Sequence, residues 1–191
     1  NDRISLPTNF DWNNLPDNEA YDMSLVMISF NIEKELVSRY SKNSIEKLYD
    51  ILKNEISVMS QKFGGKIWVV QPNSLILSFH FGDYINASVL FALYFFNRFF
   101  LLCLEKLKLD EILYVKLSVH AGNCFFHKTN TEQITSDVIN SLVHLETQYN
   151  SFGNLVISES VYDKLSQRVS SYFEYSDIFE NKKIYSYREK S

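Results

Sequence analysis

The sequence predicts one α+β domain, in which a mostly antiparallel sheet carries helices on one face. Hydrophobic residues make up 46% and aromatic residues 15% of the 191 residues, a composition typical of an ordered globular chain with its own core. Short runs rich in β-branched and aromatic residues alternate with segments in which apolar residues recur every three or four positions. The leading segments follow the ferredoxin-like order β-α-β-β-α-β, and further strands and helices come after them.

The beginning of the chain differs in character from the rest. Residues 1–22 are polar and include Pro7 and Pro16, which is typical of an arm or linker remnant. We therefore expect the folded domain to comprise residues 23–191, with the arm lying along it.

The first strand, helix and hairpin can be placed from composition and spacing. Residues 24–30 are apolar and rich in strand-forming types, which predicts a buried strand. Asn43 can cap a helix whose apolar positions continue to Phe63. Residues 66–70 and 74–79 then predict the two strands of a hairpin.

An unusually apolar helix is predicted over residues 83–108. Its segment 89–104 is short for a membrane span and has Asn97 and Arg98 in its middle, so we predict a buried helix and no membrane span. Nearly every face of this helix is apolar, whereas a sheet covers only one side. A partner domain or another part of this chain is expected to cover another side. We expect four rings to divide between these two surfaces: Phe95, Phe96, Phe99 and Phe100.

The second half of the chain predicts another hairpin and a polar-faced helix. Residues 115–120 alternate in polarity as a strand does, residues 121–123 (Ala-Gly-Asn) predict a turn, and residues 124–126 predict the returning strand. Helical spacing resumes at about Ser136. The remaining elements are a short buried strand, a helix and two further strands, at residues 155–157, 158–167, 172–175 and 183–187.

The net charge and the cysteine content indicate which ligands and which cellular compartment to expect. The formal net charge of −4 provides no basic surface, so nucleic acid is not an expected ligand. The two cysteines, Cys103 and Cys124, are far apart in sequence, which indicates a reducing compartment rather than a disulfide framework. The chain shows no signal-peptide pattern and no initiator Met, so we expect a cytoplasmic piece of a longer protein.

Two motifs resemble the catalytic domain of class III adenylate and guanylate cyclases. In that family a strand ends in a Gly-Ile-His-x-Gly-like turn, and a later helix carries Val-Asn-x-Ala-x-Arg-Leu. The corresponding residues here are 118–122 (Ser-Val-His-Ala-Gly) and 139–145 (Ile-Asn-Ser-Leu-Val-His-Leu). The resemblance covers residues 23–164. It implies a nucleotide cyclase-like fold and a head-to-tail pair of domains with sites at their shared interface.

The resemblance also implies where metal ions would bind. In the family two Asp residues hold two metal ions that act on the triphosphate and the ribose hydroxyl. The first lies in Phe-Asp-Ile, which corresponds to Phe30-Asn31-Ile32, and the second corresponds to Asn73. Both carboxylates are amides here, so the negative charge that hard divalent cations need is missing. We expect no cofactor, with Mg²⁺ or Mn²⁺ only if the site proves active.

The nucleotide-recognition positions implied by the resemblance have changed as well. The adenine-selecting Lys corresponds to Val69 and its Asp partner to Gln133, and valine cannot hydrogen-bond a purine edge. The transition-state Arg corresponds to His144, whose neutral imidazole offers one donor where guanidinium offers five. The ribose-orienting Asn is retained as Asn140.

Two other groups of polar residues have a less specific interpretation. His120, Cys124 and His127 have metal-ligand spacing, but no fourth ligand is evident, so ordinary strand residues are favoured over a zinc site. Glu33 follows Asn31 by two positions and could replace a missing carboxylate, although a solvated glutamate is the favoured interpretation.

Three functions are compatible with this pattern. The leading hypothesis is a catalytically inactive cyclase-like domain that serves as a dimerisation or regulatory module of a larger protein, paired with itself or with another cyclase-like domain. The second is the non-metal half-site of a heterodimeric adenylate or guanylate cyclase. The third is a sensor that binds a nucleotide or another small molecule in the remodelled cleft. An open cleft favours the sensor, whereas filling by side chains such as Trp68 and Val69 favours the module.

Overall fold

The computed structural model describes residues 10–32, 38–107, 113–126 and 136–188 as one sheet of seven strands with helices packed on it. The strands are Glu19–Phe30 (β1), Lys66–Gln71 (β2), Ser74–Phe79 (β3), Val115–Phe126 (β4), Leu155–Ser158 (β5), Phe173–Phe179 (β6) and Lys182–Tyr187 (β7). The helices are Lys42–Gln61 (α1), Tyr84–Leu102 (α2), Asp137–Gln148 (α3), Glu159–Tyr162 (α4) and Gln167–Ser170 (α5). The predicted α+β class and the β-α-β-β-α-β order at its start are confirmed.

The strand order across the sheet is β2-β3-β1-β4-β5-β7-β6, which places β1 near the centre. β1 pairs antiparallel with β3 on one side and with β4 on the other. β4 and β5 are parallel, and β7 pairs antiparallel with both β5 and β6. The turn between β2 and β3 and the turn between β6 and β7 therefore lie at opposite ends of the strand order.

The predicted hairpin within residues 115–126 is wrong, because β4 is one continuous strand of 12 residues. Ala121, Gly122 and Asn123 continue the ladder opposite residues 22–24 of β1. Gly122 is needed for packing rather than for a turn: a Cβ at this position would lie 2.6 Å from Cγ2 of Val138 in α3. β1 also starts at Glu19, before the predicted position, so the end of β4 has a partner there.

Alternate residues of β1 point into two separate cores. Val26 and Ile28 pack with apolar residues of α1 and α2, on what we call the α1/α2 face. Leu25 and Met27 pack with residues of α3, on the α3 face. Helices therefore cover both faces, whereas the sequence predicted helices on one face. Period-two alternation gives each strand two different sides, and here both sides are apolar enough to be buried.

Part of the predicted N-terminal arm lies along the α3 face. Trp12 is 8% exposed, and its ring meets Phe81 edge to face with centroids 5.1 Å apart. Its Nε1 donates to the backbone oxygen of Gly64 at 3.3 Å. The arm therefore contributes to the core of this face, while the domain boundary at residue 23 stays a prediction.

α2 continues into a π-helical turn, Cys103–Leu107, and the whole segment is strongly apolar. Residues Tyr84–Leu107 are long and apolar enough to cross a membrane, with a mean hydropathy of 1.8, yet half of this apolar stretch is buried inside the protein. The absence of a membrane span stays a prediction. The four phenylalanines differ in exposure: Phe95 and Phe99 are buried, Phe96 is half-buried and Phe100 is 54% exposed. Their division between the sheet and a second surface stays a prediction. We call the exposed apolar residues of this segment the α2 surface: Tyr94, Phe100, Leu101 and Leu104.

The helix predicted over residues 158–167 is in fact two short helices, α4 and α5. Ser166 separates them, because its side chain caps α5 by accepting from the Val169 amide. Its own amide donates to Oδ1 of Asn86 on α2, 80 residues earlier in the chain. The break is therefore stabilised by a distant residue.

Both outer strands of the sheet are irregular. The pairing of β2 with β3 shifts between Ile67 and Val69, so that Trp68 is an extra residue. The pairing of β6 with β7 shifts in the same way between Tyr175 and Asp177. Each free edge of the sheet therefore carries a bulge.

Candidate functional site

The two positions that correspond to metal-binding Asp residues lie at the ends of adjacent strands. Asn31 follows β1 directly, and Asn73 lies in the turn between β2 and β3. The amide of Phe30 donates to the backbone oxygen of Asn73 at 2.9 Å, which joins the two segments. Asn73 is exposed and Asn31 is half-buried, whereas Ile32 is buried in the α1/α2 core. Ile32 therefore serves packing.

The side chain of Asn73 is held by a residue that the sequence analysis did not identify. The Tyr49 hydroxyl of α1 donates to Oδ1 of Asn73 at 2.5 Å. A phenol is protonated at neutral pH and can donate, and burial raises the pKa of Tyr49 further in the same direction. Tyr49 lies four residues after the apolar Ile45, and this spacing places both side chains on the inward side of α1. Tyr49 thereby engages Oδ1, the atom of the Asn73 side chain that could ligate a cation.

A pair of divalent cations does not fit these residues. Hard dications require anionic oxygen ligands, and here two neutral amides are present, one of them already hydrogen-bonded. Within residues 10–32, 38–107, 113–126 and 136–188, no group of three or more His, Cys, Asp or Glu could hold a metal ion. Glu33, the possible substitute, lies outside the described residues. No chemistry through a metal can be derived from these side chains.

A cleft of about 1200 Å³ opens beside the edge strand β2. Val69 is half-buried in its wall, and Trp68 beside it is only 5% exposed. Ile139 and Val143 of α3 line another side, and residues 10–13 of the arm line a third. The indole nitrogen of Trp68 is buried and finds no hydrogen-bond partner in the described part of the chain. The cleft is therefore open and lined by both apolar and polar groups, while Gln133 lies outside the described residues.

Asn140 and His144 lie on the exposed side of α3, one helical turn apart. His144 Nδ1 is 3.6 Å from Oε1 of Glu180, and Ser141 Oγ donates to Oε2 of the same residue at 3.3 Å. Glu180 and Asn181 form a two-residue turn with φ of 49° and 62°, the backbone of a type I′ hairpin between β6 and β7. Sequence analysis missed Glu180, because glutamate is an unusual residue in such a turn.

The structure does not bring the two halves of the implied site together in one chain. His144 contacts the β6–β7 turn, whereas Asn73 lies in the β2–β3 turn at the opposite end of the strand order. The resemblance implied sites shared between two domains, and this separation is consistent with that arrangement.

The residues considered for zinc have other contacts. Nδ1 of His120 is 2.9 Å from Oγ of Ser158, and burial lowers the pKa of the imidazole. Cys124 is buried, and burial raises the pKa of its thiol to about 11. His127 lies outside the described residues. Both described side chains therefore behave as packed strand residues.

Comparison with known proteins gives matches among solved structures. No protein-family model matches the sequence, and no curated protein matches it. The guanylate cyclase domain of RhGC from Catenaria anguillulae in complex with GTP has a TM-score of 0.74 and 15% identity, and the match covers 91% of this chain and 100% of that chain. The adenylyl cyclase CyaB from P. aeruginosa has a TM-score of 0.74 and 16% identity, over 91% and 96%. A dimeric guanylyl cyclase domain of the RhoGC fusion protein from Blastocladiella emersonii has a TM-score of 0.72 and 14% identity, over 90% and 96%.

These neighbours are catalytic domains of class III adenylate and guanylate cyclases, and the chain shares their fold across most of its length. The predicted resemblance and the nucleotide cyclase-like fold are thereby confirmed. Identities of 14–16% show a shared fold only, so the chemistry of the site has to be inferred from the residues of this chain.

Proposed function

We propose that this chain is a catalytically inactive domain of the cyclase fold that acts as a dimerisation or regulatory module of a larger cytoplasmic protein. The observation that carries the proposal is the hydrogen bond of 2.5 Å from Tyr49 to Oδ1 of Asn73. It engages the ligand atom of one metal position, and the other position, Asn31, is also an amide. Both changes reduce metal affinity in the same direction.

The expected loss of activity can be estimated from the chemistry. Metal ions contribute several kcal/mol to stabilising the charge that develops in phosphoryl transfer, and about 1.36 kcal/mol corresponds to a tenfold change in rate. Loss of both carboxylates therefore costs at least roughly three orders of magnitude. Replacement of a transition-state Arg by His144, which is paired with Glu180, costs a further factor of similar size.

The α2 surface supports a role in association. Phe100, Leu101 and Leu104 are 54%, 47% and 62% exposed along one helical segment. The described part of the arm packs on the α3 face, so it does not cover them. Exposed apolar groups in such a cluster are typical of a surface that meets a partner. The Blastocladiella emersonii neighbour is described as dimeric, and we propose either a second copy of this chain or another cyclase-like domain as the partner.

A sensor is the second candidate, and the open cleft beside β2 favours it. A volume of about 1200 Å³ is large enough for a nucleotide or a similar planar molecule. Trp68 and Val69 narrow this cleft without closing it. Binding without turnover requires neither the metal carboxylates nor the transition-state Arg.

One set of measurements tests these candidates. Purified protein is assayed for cyclic-nucleotide formation from ATP and GTP with Mg²⁺ or Mn²⁺, and the same mixtures are followed by isothermal titration. We expect no product above a heat-denatured control, and binding heat with nucleotide supports the sensor. Turnover near about one per second, abolished by Asn140→Ala, contradicts the inactive-domain proposal. Product that appears only after a cyclase domain with intact metal carboxylates is added supports the half-site alternative.

The partner is tested by light scattering over a range of protein concentrations. We expect a concentration-dependent dimer that Phe100→Ser weakens. Val58→Ser is the matched control, because Val58 is 49% exposed on α1 and does not belong to the α2 surface. A protein that stays monomeric at every concentration, alone and with candidate cyclase-like domains, counts against a dimerisation module.

A further inference from the structure

Glu146 is a glutamate without any exposed surface. It lies near the C-terminal end of α3, and its relative exposure is 0%. The proposed function makes no use of it. Burial of an ionised carboxylate is costly unless hydrogen bonds and an opposite charge compensate for it, so its surroundings determine its state.

The two oxygens of this carboxyl group differ in their contacts. Oε2 accepts from Ser118 Oγ at 2.5 Å and from Asn150 Nδ2 at 3.0 Å. Oε1 is buried and has no hydrogen-bond partner among the described residues. Ser29 of β1 lies near enough to favour the charged form, but it forms no hydrogen bond with Oε1. Oδ1 of Asn150 is likewise buried and unpartnered, so two neighbouring side chains each leave an acceptor without a donor.

Reversal of the Asn150 amide does not remove the mismatch. Its Nδ2 also donates to the backbone oxygen of Leu117 at 2.8 Å. The reversed amide would place Oδ1 against that carbonyl, where two acceptors would face each other. The orientation is therefore fixed, and Asn150 cannot supply the missing donor to Oε1.

Within the described part of the chain, no cation contacts the carboxyl group directly. Nζ of Lys116 donates to the backbone oxygens of Glu146 and Asn150, at 2.7 and 3.4 Å. Lys116 thus binds the C-terminal end of α3, where the helix dipole favours a positive charge. Among the described residues packed around the carboxyl group, Lys116 on β4 is the charged one, while Ser29, Ser118 and Asn150 are neutral. Burial raises the pKa of Glu146, against the lowering influence of these neighbours.

We propose that Glu146 is a neutral acid at neutral pH, with its proton on Oε1, so that the hydrogen bond from Ser118 of β4 to Oε2 joins the C-terminal half of α3 to the sheet without burying a charge. The proton turns one of the two unpaired acceptors into a donor. Oε2 continues to accept from Ser118 and Asn150. Because α3 also carries Asn140 and His144, ionisation of Glu146 buries a charge on the sheet-facing side of the helix that presents them. The protonation of Glu146 does not depend on whether the domain binds a nucleotide.

The sign of the pH dependence follows from linkage. The folded protein holds this proton more tightly than the unfolded chain does, whose glutamate titrates near about 4.3. The contribution to stability is complete below that value and is lost as the pH rises toward the raised pKa of the folded state. The denaturation midpoint in urea should therefore fall from pH 6 to pH 9 in the natural protein relative to Glu146→Gln, in which the amide cannot ionise.

Infrared spectroscopy tests the proton directly. At pH 7 the natural protein should show the carbonyl band of a protonated carboxylic acid. Glu146→Gln should lose this band, and Asp137→Asn, which removes an exposed carboxylate from the same helix, should keep it. Ser118→Ala keeps the acid and removes a donor to Oε2, so the band should move to higher frequency.

Three results overturn the proposal. A natural protein without the band at pH 7 has an ionised Glu146, with a bridging water as the donor. A band that survives Glu146→Gln belongs to another residue. If Glu146→Gln does not fold, the spectrum of the natural protein and the Ser118→Ala shift still decide, and an unmoved band in that variant contradicts the geometry.

Discussion

Gly122→Ala is the sharpest test of how α3 sits on β4. A Cβ at residue 122 would lie 2.6 Å from Cγ2 of Val138, whereas carbon atoms in contact are ordinarily about 3.5–4.0 Å apart. This overlap of about 1 Å forces either α3 or the valine side chain to move. Overpacking of this kind lowers the free energy of unfolding by about 1–3 kcal/mol. Because α3 carries Asn140 and His144, the same displacement moves both candidate site residues.

Val138→Ala provides the matched partner for a double-mutant cycle. Alone it removes two methyl carbons from a half-buried residue and costs about 1 kcal/mol. Combined with Gly122→Ala it removes the clashing atom, so the double variant should be more stable than the sum of the single effects by about 1–2 kcal/mol. Urea unfolding followed by circular dichroism measures all four proteins. Additive effects would refute the packing argument. If residue 122 had to be glycine for a hairpin turn at residues 121–123, shortening Val138 of α3 would not restore the stability lost in Gly122→Ala.

Three further outcomes are expected. Asn31→Asp combined with Asn73→Asp should raise Mn²⁺ affinity in isothermal titration yet restore little cyclic-nucleotide formation, and rapid turnover would show that the other changed positions matter less than argued. Burial raises the pKa of Cys103 and Cys124 to about 11. Each is then about 0.1% thiolate at pH 8, so alkylation of the native protein should be far slower than in urea, and equal rates would contradict the burial. Glu180→Asn suits the type I′ turn better and should raise the stability by about 0.5 kcal/mol, whereas a loss would show that the contacts with α3 outweigh turn strain.

Elements with a local signal could be predicted from the sequence. α1 repeats apolar residues every three or four positions up to the Gly64-Gly65 pair, and it was placed within two residues at each end. β2 and β3 were found from two apolar runs joined by a short polar turn. The adjacency of Asn31 and Asn73 followed from this hairpin. Patterns that depend on chain neighbours are therefore visible before the fold is known.

The features that could not be predicted depend on contacts between distant residues. Ala121-Gly122-Asn123 has the composition of a turn, yet the packing of Val138 against β4 requires a glycine within a continuous strand. Ser166 starts α5 as its N-cap, and its amide is held by the distant Asn86. Tyr49 and Glu180 engage candidate site residues through side chains that no motif distinguishes. The candidate positions were therefore inferred from motifs, whereas the side-chain contacts of Asn73 and His144 became visible only in the fold.

The bulges at the two outer strands have a consequence for how copies of this protein meet. Regular unpaired edges act as templates on which further chains add, the first step toward fibrous aggregates. Trp68 interrupts the ladder at one edge and Ser176 interrupts it at the other. Continuous growth of the sheet from chain to chain is therefore disfavoured at both borders. Encounters between molecules are therefore directed to the helices that cover both faces, where a self-complementary contact gives a closed pair rather than an open-ended polymer.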